Sequence, residues 1–388
     1  MPSTAFRIRS RVLWTFLLPG LLPGLLFGPD VAAGQEDSHA FGLGAHFQSY
    51  VFDEALGAEV ANLTLIPAAY TFPLGARFSF DFYGAYAYGQ VEQEGVTHTL
   101  QGPVDTRVRA NYRVTPWAVF TASVNLPTGT TSHDSEEAIV ASVLSTDILG
   151  FREATWGTGA AVTGGLATAY QLGGWGLGLG ASYRLSDGFE PRADTSLTYV
   201  PGNEIRVRAA LDRNVGEGGT FTAGLTFQNY TEDEFGGKNL FQAGNRLRGD
   251  VSYAFRTGRS TWALYAMNVW REEGDRFLYY EGNQGSTPDS TLVVGSQNLL
   301  VVGLDGSAPL GATLRIRPRL DFRYQSREEG GGGGWLLGAG ADLPLDLLGT
   351  SDLFPRGRFS WGRLEGPDGE TKSLWGVELG LTLRWQIG

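Results

Sequence analysis

From His39 to the carboxyl terminus, apolar and polar residues alternate one by one in short blocks along most of the chain. A period of two sends successive side chains to opposite faces, so each block reads as a strand whose faces meet different surroundings. In the last block Trp375, Val377, Leu379, Leu381, Leu383, Trp385 and Ile387 alternate with Gly376, Glu378, Gly380, Thr382, Arg384 and Gln386. Another sets Leu314, Ile316, Pro318, Leu320, Phe322 and Tyr324 against Arg315, Arg317, Arg319, Asp321, Arg323 and Gln325. A third sets Ile205, Val207, Ala209 and Leu211 against Glu204, Arg206, Arg208, Ala210 and Asp212. Similar ladders cover 41–51, 59–71, 76–89, 104–113, 116–126, 157–171, 174–186, 219–230, 245–256, 260–271, 297–306, 335–345 and 354–364, which predicts about sixteen strands. Fourteen is the alternative, and Asp194 to Val200, inside the connection 187–203, reads as a further strand that shifts the count by two.

The connections alternate in length. Short breaks at Pro73-Leu74-Gly75, Gly173-Gly174, Thr257-Gly258-Arg259 and Leu348-Gly349 carry turn-forming residues. Between them lie longer polar stretches at 52–58, 90–103, 127–156, 187–203, 231–244, 272–296, 327–334 and 365–371. That alternation predicts an all-β fold, a transmembrane up-and-down antiparallel barrel with turns at one rim and loops at the other. No motif repeats at a fixed period, which disfavours a propeller or solenoid.

Composition narrows the class further. Gly is 56 of 388 residues, aromatics are 12% and charged residues 18%, while 42% hydrophobic residues exclude a disordered chain. The net charge of -11 lacks the basic footprint of a nucleic-acid partner. There is no Cys, hence no disulfide or thiolate site. Lysine occurs only at Lys238 and Lys372, so almost every cation is an Arg. At the amino terminus Arg7, Arg9 and Arg11 precede the apolar Val12 to Leu26 and the small residues Val31-Ala32-Ala33-Gly34, the layout of a cleaved signal peptide. Residues 1–34 are therefore expected to be a signal peptide and 35–388 an outer-membrane barrel, delivered by export and inserted by the barrel-assembly machinery. The Val12 to Leu26 stretch, broken by Pro19 and Pro23, is too short for a membrane helix.

Alternation also suits a secreted soluble β-sandwich binding protein, the main competing fold. Tyr70, Tyr88, Trp117, Tyr170, Trp175, Trp335 and Trp385 near strand ends favour interfacial girdles instead. In a barrel, an outward Arg costs about 2–4 kcal/mol at mid-membrane, so facing the four arginines of 314–325 to lipid would cost roughly 8–16 kcal/mol. The polar phase must then face the lumen. It carries Asp105, Arg107, Arg109, Arg206, Arg208, Arg246, Arg248, Asp250, Arg315, Arg317, Arg319, Asp321 and Arg323. These side chains suit either solute selection or bracing by salt bridges with acids such as Asp81, Glu204, Asp342 and Glu378. In the longest loop, Asp134 and Glu137 fit a capping box, followed by Ile139, Val143 and Leu144 at helical spacing. A helix there, with Asp134, Glu136 and Glu137 at its start, is expected to constrict the pore, to offer a greasy solute site or to pack over the rim. His39, His46, His98 and His133 show no metal-ligand spacing, and no catalytic motif is present. Neither a metal nor any other cofactor is expected, and an enzyme is not expected; a barrel hydrolase using Ser and His is the remaining catalytic alternative.

Across 105–185, Asp105-Thr106-Arg107, Tyr112-Arg113, Val124-Asn125-Leu126-Pro127-Thr128-Gly129, Gly157-Thr158-Gly159, Gly173-Gly174-Trp175 and Tyr183-Arg184 form a further set of motifs. They resemble the outer-membrane proteins grouped with meta-pathway phenol degradation, which are similar in turn to fatty-acid and aromatic-hydrocarbon uptake channels. The resemblance implies passive uptake of small, often hydrophobic solutes. The arginine-rich wall departs from a greasy conduit, and an anion-selective porin competes with that reading. Expected partners are outer-membrane lipid and a small-molecule solute, with assembly into a homo-oligomer left open.

Overall fold

The computed structural model describes residues 39–53, 57–216, 218–280, 287–311, 314–328, 333–347, 351–366 and 369–387. The leader expected over 1–34 and the turn at Leu348-Gly349 lie outside the described residues.

The wall begins with β1 (His39–Phe52), β2 (Val60–Leu74), β3 (Phe78–Gln93) and β4, which runs through Val96–Pro103 and then Thr106–Thr115. It continues with β5 (Ala118–Leu126), β6 (Ala161–Leu172), β7 (Trp175–Ser186), β8 (Glu204–Val215), β9 (Gly219–Tyr230) and β10 (Arg246–Thr257). β11 (Ser260–Arg271), β12 (Gln297–Leu310), β13 (Leu314–Arg327) and β14 (Gly334–Asp342 with Leu345–Asp346) follow. β15 (Ser351–Glu365) and β16 (Thr371–Ile387) complete the set. Both segments of β4 lie along β3, and both segments of β14 lie along β15, so eighteen strand segments make sixteen staves. Each stave pairs antiparallel with its chain neighbour, and β16 closes onto β1 from His39↔Ile387 to Phe52↔Leu374. The sequence expectation of a sixteen-strand barrel is met strand for strand.

Turn chemistry explains one rim. The β6–β7 hairpin closes at Leu172↔Trp175 through Gly173 and Gly174 at φ 55 and 84, a pair of left-handed positions that glycine occupies without strain. At the other rim the structure is more ordered than the sequence pattern suggests. The stretch 90–103, read as a loop, is a hairpin in which β3 and β4 run on to a turn at Glu94-Gly95. Three other connections supply a five-stranded antiparallel sheet of Tyr199–Val200, Asp233–Phe235, Lys238–Gln242, Gly274–Leu278 and Ser290–Val294. Of the stretch Asp194 to Val200 only the last two residues pair, and they do so in this rim sheet, so the wall count stays at sixteen.

Facing follows the alternation. Phe47 on β1, Leu179 on β7, Val207 on β8, Phe227 on β9, Phe322 on β13 and Leu381 on β16 are exposed on the outside, while Gln48, Thr226, Gln228, Asp321 and Gln325 on the same strands are buried. Such a continuous exposed apolar belt is the mark of a surface immersed in lipid, and the sixteen staves close on themselves as one wall, whereas a soluble sandwich packs two open sheets face to face. Aromatic pairs mark both edges of the belt: Trp117 stacks on Tyr170 at the turn rim, and Trp335 meets Trp361 edge-on at 4.8 Å near the loop rim. Among the described residues no helix is long and apolar enough to cross a membrane; the strands do the crossing.

An outward and an inward arginine should therefore differ sharply. Leu320 is 50% exposed on the outer face. Leu320→Arg is expected to destabilise the barrel by about 2–4 kcal/mol, measured by reversible denaturation in phospholipid vesicles. A cost below 1 kcal/mol, about that of a substitution near the interface, would contradict the placement of this face in hydrocarbon.

Candidate functional site

The longest connection turns into the barrel. Asp134 caps the helix α1 (Ser135–Leu144) by accepting from the Glu136 and Glu137 amides, and the Glu137 carboxylate returns a bond to the Asp134 amide, so the expected capping box is present. Val140, Val143 and Leu144 are buried; Glu136 is exposed and Ile139 is half-buried. Beyond the helix, Ile148, Leu149, Phe151 and Trp156 join Tyr50, Leu63, Leu65, Ala87, Val91, Leu100, Leu336, Leu364 and Leu374 in one hydrophobic cluster. Those wall residues lie on the inner phase of their strands, so the cluster sits within the bore against β1–β4 and β14–β16. Gly89 is needed there: a Cβ would lie 2.8 Å from Leu144 and 3.1 Å from Trp156.

Polar contacts pin the loop across the bore. The Tyr50 hydroxyl donates to the Leu149 carbonyl at 2.8 Å, the Arg152 amide donates to Gln48 Oε1 at 2.8 Å, and Trp156 Nε1 donates to the Ala87 carbonyl at 3.1 Å. The Arg152 guanidinium meets Glu378 of β16 at 2.5 Å. On the opposite side Arg323 Nη1 of β13 donates to the Ile148 and Leu149 carbonyls, and Gln297 of β12 donates to Asp147 at 2.8 Å. Both legs of the loop are gathered by one carboxylate. Asp105, 2% exposed, accepts from Gly129 N at 2.9 Å, Asn125 Nδ2 at 2.9 Å and Thr158 N at 2.7 Å. The motifs around Asn125-Leu126-Pro127-Thr128-Gly129 and Gly157-Thr158-Gly159 thus gain a physical role. A Cβ on Gly129 would lie 2.1 Å from the Trp156 carbonyl, and one on Gly157 would lie 2.9 Å from that of Thr130.

The other sequence-predicted residues occupy the polar phase of the wall, mostly in pairs. Arg109 meets Asp81 at 2.8 Å, Arg206 meets Glu204 at 2.7 Å and Arg319 meets Asp305 at 2.8 Å. Arg208 holds Asp250 through two bonds of 2.9 and 3.0 Å, with Arg248 3.9 Å from the same carboxylate. Asp321 is shared by Arg323 and by Arg358, an arginine outside the predicted set. Arg317 lies over the Phe354 ring, and Arg315 is exposed near the turn rim, donating to Ser307. Arg246 has its Nε buried without a hydrogen-bond partner. Arg107 lies 3.8 Å from Glu153.

Sequence reasoning passed over Arg152, Glu153 and Trp156. The signal was Ile148-Leu149-Gly150-Phe151 and Trp156, a density of large apolar residues that an exposed loop has no use for. Glu153 is 4% exposed, and its Oε2 has no hydrogen-bond partner. Burial pushes its carboxyl up to about 7 against the pull of Arg107, and Asp105 adds to the rise.

No family model matches the chain, and no curated protein matches it in sequence. Among solved structures it is similar to a bacterial polysaccharide outer membrane secretin, at 8% identity and TM-score 0.46 over 91% of this chain and 100% of the other. The TodX monoaromatic hydrocarbon channel aligns at 10% identity and TM-score 0.45, over 92% of this chain and 91% of its own. OccK11 of Pseudomonas aeruginosa aligns at 12% identity and TM-score 0.44, over 90% and 96%.

Two predictions concern the loop. Asp105→Ala removes an acceptor whose charged hydrogen bonds are worth about 1.5–3 kcal/mol each, so the loop should come loose and trypsin should cut after Arg152, a bond the parent protein protects. Equal resistance in both proteins would show that Asp105 is no clasp. Glu153 titrates with the opposite sign to a salt-bridged acid: its folded value is raised, so the docked loop retains a proton that the released loop loses. Docking then weakens as pH rises from the ordinary carboxylate range to about 7 and changes little above it. Single-channel recordings should show loop-release events becoming more frequent over that interval, and Glu153→Gln should remove the dependence.

Proposed function

We propose that the chain is an outer-membrane channel that passes small solutes by diffusion, through the part of the bore that the inward loop leaves uncovered. One observation carries the reading: the loop 127–156 is pinned at β1, β3, β12, β13 and β16, and it covers the apolar inner wall. A loop folded into a barrel narrows the passage, and side chains at the narrowing sort solutes by charge and size. Along the uncovered wall Arg206, Arg208, Arg246 and Arg248 stand against Glu204 and Asp250, with Gly176, Gly178 and Gly180 beside them to leave width. Arginine keeps its charge at any physiological pH and binds carboxylate or phosphate by paired bonds, which favours anions.

Aromatic solutes, the cargo in the name of the TodX channel, are the second reading. Its support is the greasy inner cluster, which loop side chains already fill. An aromatic solute would have to displace Trp156 or Phe151, whereas an anion on the arginine wall displaces no packed side chain.

Planar-bilayer recording decides between them. Under a salt gradient the reversal potential should report anion preference, and Arg206→Gln with Arg208→Gln should reduce it. Cation preference in the parent would remove the arginine reading; the absence of any conductance would remove the channel.

A further inference from the structure

Strand register sorts the inner wall into rows at successive depths, because cross-strand partners face the same side. One row, at the loop rim, reads Arg206↔Gln228↔Arg246↔Arg271↔Gln297↔Arg327 across β8 to β13. It holds four arginines and no acid. Deeper rows are balanced: Asp250 lies beside Arg208, Asp305 beside Arg319, Asp321 between Arg323 and Arg358, and Asp342 beside Arg356. In the rim row Glu204 takes Arg206 and Gln228, and Asp147 of the loop takes Gln297 and lies near enough to Arg327 to attract it. Arg246, Arg271 and Arg327 form no ion pair with any described residue. Arg246 and Arg271 are direct cross-strand partners, an arrangement of like charges that destabilises a sheet unless an anion lies between them. Arg246 also keeps a buried Nε without a partner.

We propose that this row is a binding station for solutes bearing two or more anionic groups, carboxylate or phosphate, at the mouth of the bore; it rests on the channel reading above. Partners on adjacent strands have Cα atoms about 5 Å apart, and residues two strands apart about 10 Å. Arg246 and Arg271 can therefore close on one anionic group while Arg327 takes a second. The Gln228 and Gln297 amides add neutral donors between them. A monoanion engages only part of the row, so the charge number of the solute sets its residence there.

The test uses the purified full-length barrel, with pyrophosphate and citrate as separate probes. In bilayers bathed in potassium chloride, millimolar pyrophosphate or citrate is expected to interrupt the current from the loop side, with acetate ineffective at the same concentration. Arg246→Gln combined with Arg271→Gln should raise the half-blocking concentration at least tenfold while chloride current persists. Block by pyrophosphate alone would assign the station to phosphate, and block by citrate alone to carboxylate. Chloride conductance without block, or block that the double variant retains, overturns the station and leaves the channel standing. A second readout needs no open pore: either polyanion should raise the thermal midpoint of the parent in detergent and not that of the variant. Without that shift the station fails even if no current is seen.

Discussion

Everything in this structure depends on the closure of β16 onto β1. Hydrocarbon offers backbone amides and carbonyls no alternative partner, so a sheet in lipid is stable only when its last strand finds its first. The pairing from His39↔Ile387 to Phe52↔Leu374 meets that demand along the whole of β1. Closure also fixes sidedness, because a slip of one residue in any stave would turn a polar phase to the lipid. Phe322 outside and Asp321 inside are consecutive residues whose environments are separated by the thickness of one sheet.

Closure alone does not account for the interior. Inner-phase arginines enter a confined space where an unmatched charge is costly, and most are matched within one or two strands: Arg208 with Asp250, Arg356 with Asp342, Arg358 with Asp321. These pairs tie staves one or two apart and hold the guanidinium planes in place. Under the proposed function, bracing and selection divide by depth: paired arginines stiffen the middle of the wall, and the row at the loop rim is left for the solute.

The strands were legible because each passes between two solvents, and two solvents write a strict period of two into the sequence. That signal is strongest where both phases are extreme, as at 314–325 and 375–387, and all sixteen staves left it. The short rim strands Lys238–Gln242 and Ser290–Val294 did not, since five residues carry too few alternations and their sheet stands clear of the lipid belt. The capping box at Asp134 and Glu137 was readable because it is local chemistry. The destination of the loop was not. It depends on Gln48, Tyr50, Arg323 and Glu378, which lie 99 to 226 residues along the chain from their loop partners, and no local pattern encodes a contact at that range.

The loop also explains why the inner phases of the wall are unlike one another. On β8–β10 the lumen side carries Arg206, Gln228, Arg246 and Arg248, side chains suited to water. On β2, β14, β15 and β16 it carries Leu63, Leu65, Leu336, Leu364 and Leu374, which water would solvate poorly. A barrel with a uniformly wet lumen has no use for those leucines. They make sense only if the residues from Val140 to Trp156 cover them, so the loop packs as part of the core, with the wall as its other half. The asymmetry of the inner wall, one part apolar and covered by the loop and the other polar, then follows from where the chain places its leucines and its arginines. The proposed passage runs along the second half because the first half is already full.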